Sequence, residues 1–82
     1  MKEGEDLHRH WTRMGTFRIT TEIIGGSTMC VLWLGERKLM PPYFTPWSAA
    51  ASISLGEHDK TLGLKASELG VPPDPDDWNS FR

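Results

Sequence analysis

Few side chains in this 82-residue sequence are equipped for chemistry. The metal-ligating types are His8, His10, His58 and Cys30. On a strand, His8-x-His10 points both rings to one side, a spacing that suits a metal ion. No second pair at a recognisable ligand spacing accompanies them, so no metal site is expected. Cys30 lies in the apolar run Met29-Cys30-Val31-Leu32-Trp33, where a thiol acts as a small buried hydrophobe. A Cys30–His58 pair can be written as nucleophile and base, but an inert buried thiol is the default for such a cysteine. Glu57 and Asp59 offer an acid and a base, yet the polar run Glu57-His58-Asp59-Lys60 reads as a solvated connection. The sequence contains no phosphate-cradling glycine loop, no GxSxG nucleophile turn and no metal-protease helix. A catalytic role and a cofactor are therefore not expected.

Binding is the remaining chemistry. Trp11, Trp33, Trp47, Trp78, Tyr43, Phe44 and Phe81 are more large rings than a small core readily hides. Exposed rings near Met and Arg mark protein interfaces, and the run Met40-Pro41-Pro42-Tyr43-Phe44 is the densest such cluster. Trp33, Met40, Tyr43 and Phe44 are thus the expected partner-binding residues, for another protein or a second copy. The first hairpin strand also offers an edge for pairing with a partner's strand. The alternative is nucleic acid, contacted through Arg13, Arg18, Arg37 and Lys38 with Trp33 beside them. The chain carries 9 basic and 11 acidic residues, a net charge of -2, which argues against broad coating of phosphates but leaves room for a local basic strip.

The element that must position these residues is a β-hairpin over Thr16 to Leu34. Alternation in Thr16-Phe17-Arg18-Ile19-Thr20-Thr21-Glu22-Ile23 predicts a half-buried strand, with Phe17, Ile19 and Ile23 on one side and Arg18, Thr20 and Glu22 on the other. Gly25-Gly26 supplies the positive φ angles of a tight turn. Thr28 to Leu34 is apolar on both faces and reads as a central strand. Two registers are open. A two-residue loop places Phe17, Ile19 and Ile23 with Cys30, Leu32 and Leu34; a three-residue loop that includes Ser27 places them with Met29, Val31 and Trp33.

After a turn at Gly35-Glu36, Arg37 to Met40 reads as a short third strand ended by Pro41-Pro42. Thr45-Pro46 is a strong helix start, with threonine at the N-cap and proline at the first helical position. The helix is expected from Pro46 to Leu55, stopped by Gly56, with Trp47, Ala50, Ala51, Leu55 and Ile53 facing the sheet. Asp59 is expected to cap a turn through Leu62. A second short helix is expected over Lys65 to Leu69, and the prolines that follow predict an extended tail anchored by Trp78 and Phe81.

Ala66-Ser67-Glu68-Leu69-Gly70-Val71 resembles the middle of a helix-turn-helix, which implies a recognition helix directly after it. The residues that follow are Pro72, Pro73, Asp74, Pro75, Asp76 and Asp77, which oppose both a helix and a phosphate contact. Three antiparallel strands followed by one helix is similar to small sheet-reading DNA-binding domains at the start of some phage integrases and in plant AP2 factors, the latter through Leu34-Gly35 followed by Phe44-Thr45 and an alanine-rich helix. That resemblance implies Arg and Trp side chains on one sheet face reaching phosphates and bases.

The expected fold class is α+β: a small antiparallel meander of two or three strands against one main helix, with a short second helix and a Pro/Asp-rich tail. Residues 1–15 are expected as a loosely docked arm, 16–70 as the domain and 71–82 as the tail. A single cysteine forbids an internal disulfide, and with no apolar signal segment after the acidic Met1 to Asp6 the expected location is the cytoplasm.

Overall fold

The computed structural model of the chain describes residues 6–79. Four strands, β1 (Asp6–Thr12), β2 (Gly15–Ile24), β3 (Ser27–Leu34) and β4 (Arg37–Tyr43), form one antiparallel sheet in chain order. The α+β class holds, but the meander has four strands, not two or three. The added strand is β1, which comes from the stretch expected as an arm; residues 1–5 lie outside the described residues. β1 pairs along β2 from Asp6↔Thr20 to Thr12↔Gly15. β2 is therefore an interior strand and offers no edge to a partner.

Gly25 and Gly26 both have positive φ, at 59° and 83°, and Ile24 pairs with Ser27 across them. The hairpin is thus the two-residue form, whose twist matches that of the flanking strands. This register pairs Phe17 with Leu34 and Ile19 with Leu32, and puts all four on the helix side of the sheet. Ile23 shares that parity but is exposed, at the far end of the hairpin. β4 continues through Pro41-Pro42 to Tyr43, contrary to the expected stop at Met40. The reason is position: β4 is an edge strand, where a missing N–H breaks no interior ladder.

Helix α1 (Pro46–Ser54) begins as expected, with Thr45 Oγ1 accepting from the Ser48 N–H at 3.1 Å. Its buried side is Ala49, Ala50, Ser52 and Ile53. Trp47 and Leu55, expected against the sheet, are instead exposed. Alanines at 49 and 50 let the helix lie close to the sheet, and a Trp there would hold it away.

Helix α2 (Asp59–Leu62) follows, then 3₁₀ turns over Ala66–Glu68 and Pro75–Asp77. Asp59 does not cap its own helix. Its carboxylate accepts from the Ser67 N–H at 3.0 Å and hydroxyl at 2.7 Å, tying α2 to the next turn. In the resemblance to a helix-turn-helix, Ala66–Glu68 is one 3₁₀ turn and no recognition helix follows among the described residues.

Trp78 is buried and anchors the tail, as expected; Phe81 lies outside the described residues. The Trp78 ring meets His8 and His10 at centroid distances of 6.4 and 5.8 Å, and its N–H donates to Pro72 O. Asn79 then borders β1: Trp11 N–H donates to Asn79 Oδ1 and Asn79 N–H to His10 Nδ1, both at 3.2 Å. Among the described residues no helix is long and apolar enough to cross a membrane.

Candidate interaction face

The helices and 3₁₀ turns pack into the core on one side of the sheet, through Ala50, Ile53, Ala66, Val71 and Trp78. Because side chains alternate along strands, every second residue is left on the other side. There the cross-strand register lines up Arg9↔Arg18, Arg18↔Trp33 and Trp33↔Lys38. Three cations and an indole thus form a transverse row over all four strands.

The row has a defined geometry. Trp33 Nε1–H donates to Thr20 Oγ1 at 2.9 Å, laying the indole over the neighbouring row, Thr20↔Val31. Thr20 and Val31 are consequently buried, at 0% and 1% exposure, on a face with no helix above it among the described residues. The Arg18 guanidinium lies 5.0 Å and the Lys38 ammonium 5.5 Å from the Trp33 ring centroid, distances at which a cation is attracted to the π face. Arg18 donates from Nε and Nη2 to Gly35 O at 3.1 and 2.9 Å, which fixes the fork beside the ring. Lys38 Nζ lies 2.9 Å from Glu22 Oε2. Trp11 and Met40, on the same face, are 52% and 60% exposed.

Charge is sorted between the layers. Residues 6–43, the strands and their turns, carry five basic and three acidic residues, whereas residues 46–79 carry two basic and six acidic. The near-neutral whole hides this asymmetry.

Of the residues expected at a protein interface, Trp33 and Met40 share this face. Tyr43 is turned to the helix side, and Phe44 is exposed just before α1. Of the expected nucleic-acid set, Arg18 and Lys38 are in the row, and Arg13 is exposed in the β1–β2 turn. Arg37 belongs to the opposite side, where its Nη2 donates to Thr61 O at 2.9 Å. Arg9 and Trp11, the β1 members, were not among the expected site residues; their alternation with His8 and His10 was the available signal.

A second cluster lies under α1. His58 Nε2 is 2.9 Å from Ser52 Oγ and 3.2 Å from Tyr43 Oη, and both Ser52 and His58 are 1% exposed. Ser52 donates its hydroxyl proton to Ala49 O at 2.6 Å, and Tyr43 donates its own to Glu57 Oε1 at 3.0 Å. Both oxygens are then acceptors towards the ring, so Nε2 carries the hydrogen. The arrangement ties together α1, β4 and the Gly56–Asp59 connection as a clamp. Burial pushes the His58 pKa down, opposed by the charges of Glu57 and Asp59. Burial also raises the Tyr43 phenol and the Cys30 thiol above their ordinary values. His8 and His10 do share one side of β1, but among the described residues no group of three His, Cys, Asp or Glu side chains is placed to hold a metal.

No protein-family model matches the chain, and neither the curated proteins nor the solved structures contain a match to it.

Proposed function

We propose that this chain is a small non-catalytic interaction module that binds another protein through the open face of its sheet. The observation that carries the reading is the row Arg9–Arg18–Trp33–Lys38, flanked by exposed Trp11 and Met40, on a face with no described helix above it. Trp, Met and Arg are the types enriched at the centres of protein interfaces. The basic balance of this layer favours a partner whose docking segment is acidic and carries an apolar anchor. A reducing cytoplasm suits its single, buried cysteine.

Nucleic acid is the second reading, favoured by the sorting of positive charge into the sheet layer. Two contacts weigh against it. Arg18 and Lys38 flank the Trp33 ring that a base would need for stacking, and Lys38 is already paired with Glu22.

Affinity capture from nuclease-treated lysate tests the reading, comparing the native chain with Lys38→Glu, Trp11→Ser and the remote surface variant Glu68→Gln. The expected outcome is a stoichiometric protein retained by the native chain and by Glu68→Gln and lost by the two face variants. Fluorescence polarisation with a labelled single-stranded oligonucleotide separates the alternative. Tight binding that falls steeply with salt, with no nuclease-resistant protein captured, would overturn the protein reading.

A further inference from the structure

We infer that the outward side of α1 is an interface with a second copy of this chain, the two helices packing antiparallel about a two-fold axis at Ala51. This surface faces away from the sheet and is independent of what the open face binds.

Ala49, Ala50 and Ile53 point α1 inward, so at 3.6 residues per turn Ala51 points nearly opposite. Trp47 and Leu55 flank it at i−4 and i+4 on one stripe. Trp47 is 51% and Leu55 72% exposed, and Phe44, preceding the N-cap, is 78% exposed. Three large apolar side chains in water on and beside one short helix make a patch of the kind that marks an interaction site.

Three features favour a second copy as the occupant. First, Pro46–Ser54 contains no charged residue, so the helix neither repels its own copy nor selects a partner of opposite charge. Second, two of the hydroxyls beside the stripe donate internally. Ser54 Oγ donates to Ala51 O at 3.1 Å and Thr45 Oγ1 donates to Ser48 Oγ at 3.1 Å, so covering the face strands neither of these donors. Third, the spacing is self-complementary. A two-fold axis at Ala51 sets each Trp47 against the partner's Leu55, with the small residue where the helices approach most closely.

With large aromatics worth roughly 150–250 Å² each, the exposed parts of the three side chains cover about 400 Å² per copy, or about 800 Å² per pair. That is below the roughly 1,200 Å² at which standard specific interfaces begin, so the dimer is weak and reversible and forms only towards the upper end of the micromolar-to-millimolar concentration range. Such a dimer leaves both open sheet faces outward and makes the module bivalent.

Sedimentation velocity of the full chain from about 1 μM to about 1 mM is the test. The expected result is a shift from the 9.3 kDa monomer towards twice that mass. Trp47→Glu and Leu55→Lys, each compatible with the helix dipole at its own end, should each stay monomeric with unchanged circular dichroism. The double variant should recover part of the association at low salt and lose it at high salt, because each introduced glutamate then faces an introduced lysine across the axis. Mild oxidation should cross-link Ala51→Cys as a dimer, while the native chain, whose Cys30 is buried, stays uncrosslinked. A monomer at every concentration, a dimer indifferent to both single variants, or a dimer in which Ala51→Cys fails to cross-link would overturn the inference.

Discussion

Trp33 donates its indole N–H to Thr20 Oγ1 at 2.9 Å, and this bond lets an aromatic on the solvent side of a sheet cover its own strand neighbours. Beneath it Thr20 and Val31 are as buried as the core on the other side. The open face is therefore a thin second core with charged flanks.

Thr20→Val keeps the shape of the buried side chain and removes the acceptor. The indole N–H then loses its partner in a half-buried position, at a cost of about 1–2 kcal/mol. For a chain of this size that is a fall in Tm of roughly 5–15 °C. Calorimetry measures the fall, and a change in tryptophan emission should accompany it. An unchanged Tm would mean that the bond contributes nothing to holding the row.

How far the sequence discloses this architecture depends on whether a local rule applies. The Gly25-Gly26 turn and the Thr45-Pro46 helix start are set by backbone geometry within a few residues, and both stand where they were expected. The register followed from the same turn once its length was known. β1 is hidden in the sequence because its inward residues are His8 and His10, partly buried against Trp78 far along the chain, so no apolar alternation marks it. The buried side of α1 is not legible locally because Trp47 outweighs Ala49 in hydrophobicity, whereas close approach to a sheet selects the smaller residue. The row Arg9–Arg18–Trp33–Lys38 and the Ser52–His58–Tyr43 clamp each draw on three or more elements, and only the folded register brings them together.

The His58 clamp makes stability depend on pH in a definite direction. Burial lowers the folded-state pKa below the ordinary 6.5, so the unfolded chain binds the proton more readily. The clamp's full contribution is present above 6.5 and is lost as pH falls from there through the depressed folded value. Denaturant titrations between pH 7.5 and 5 should therefore show a falling midpoint, over roughly the range where histidines titrate. His58→Gln retains a side-chain N–H for Ser52 and cannot titrate, so it should flatten the slope. Part of the slope should survive through His10, whose pKa burial also lowers and whose Nδ1 accepts from Asn79. If His58→Gln leaves the slope intact, the clamp is not its source.

The Asn79 side chain meets the β1 backbone at Trp11, accepting from the Trp11 N–H and approaching Trp11 O with its own amide at 3.5 Å. Asn79→Ala should leave the global unfolding midpoint within about 0.5–1 kcal/mol of the native chain, as for one exposed bond. Hydrogen exchange at the Trp11 amide should nevertheless accelerate several-fold, while interior amides of β2 and β3 stay protected. Uniform acceleration across the sheet would show that the edge contact acts globally.

Trp78 is a part of the core delivered by the last described turn. Removing it in Trp78→Ala strips the cover from His8 and His10, leaves Pro72 O without its donor and opens a large cavity. Aromatic-to-alanine changes in cores cost about 3–5 kcal/mol. A chain of 82 residues has only about 4–12 kcal/mol in total. The variant should therefore be largely unfolded or close to its midpoint at room temperature, with β1 amides losing protection first. Truncation after Pro73 should behave in the same way, since it removes the same ring. A cooperative transition within a few degrees of the native Tm in both variants would show that the four-stranded sheet and α1 fold without the tail, and that Trp78 packs onto a body already complete.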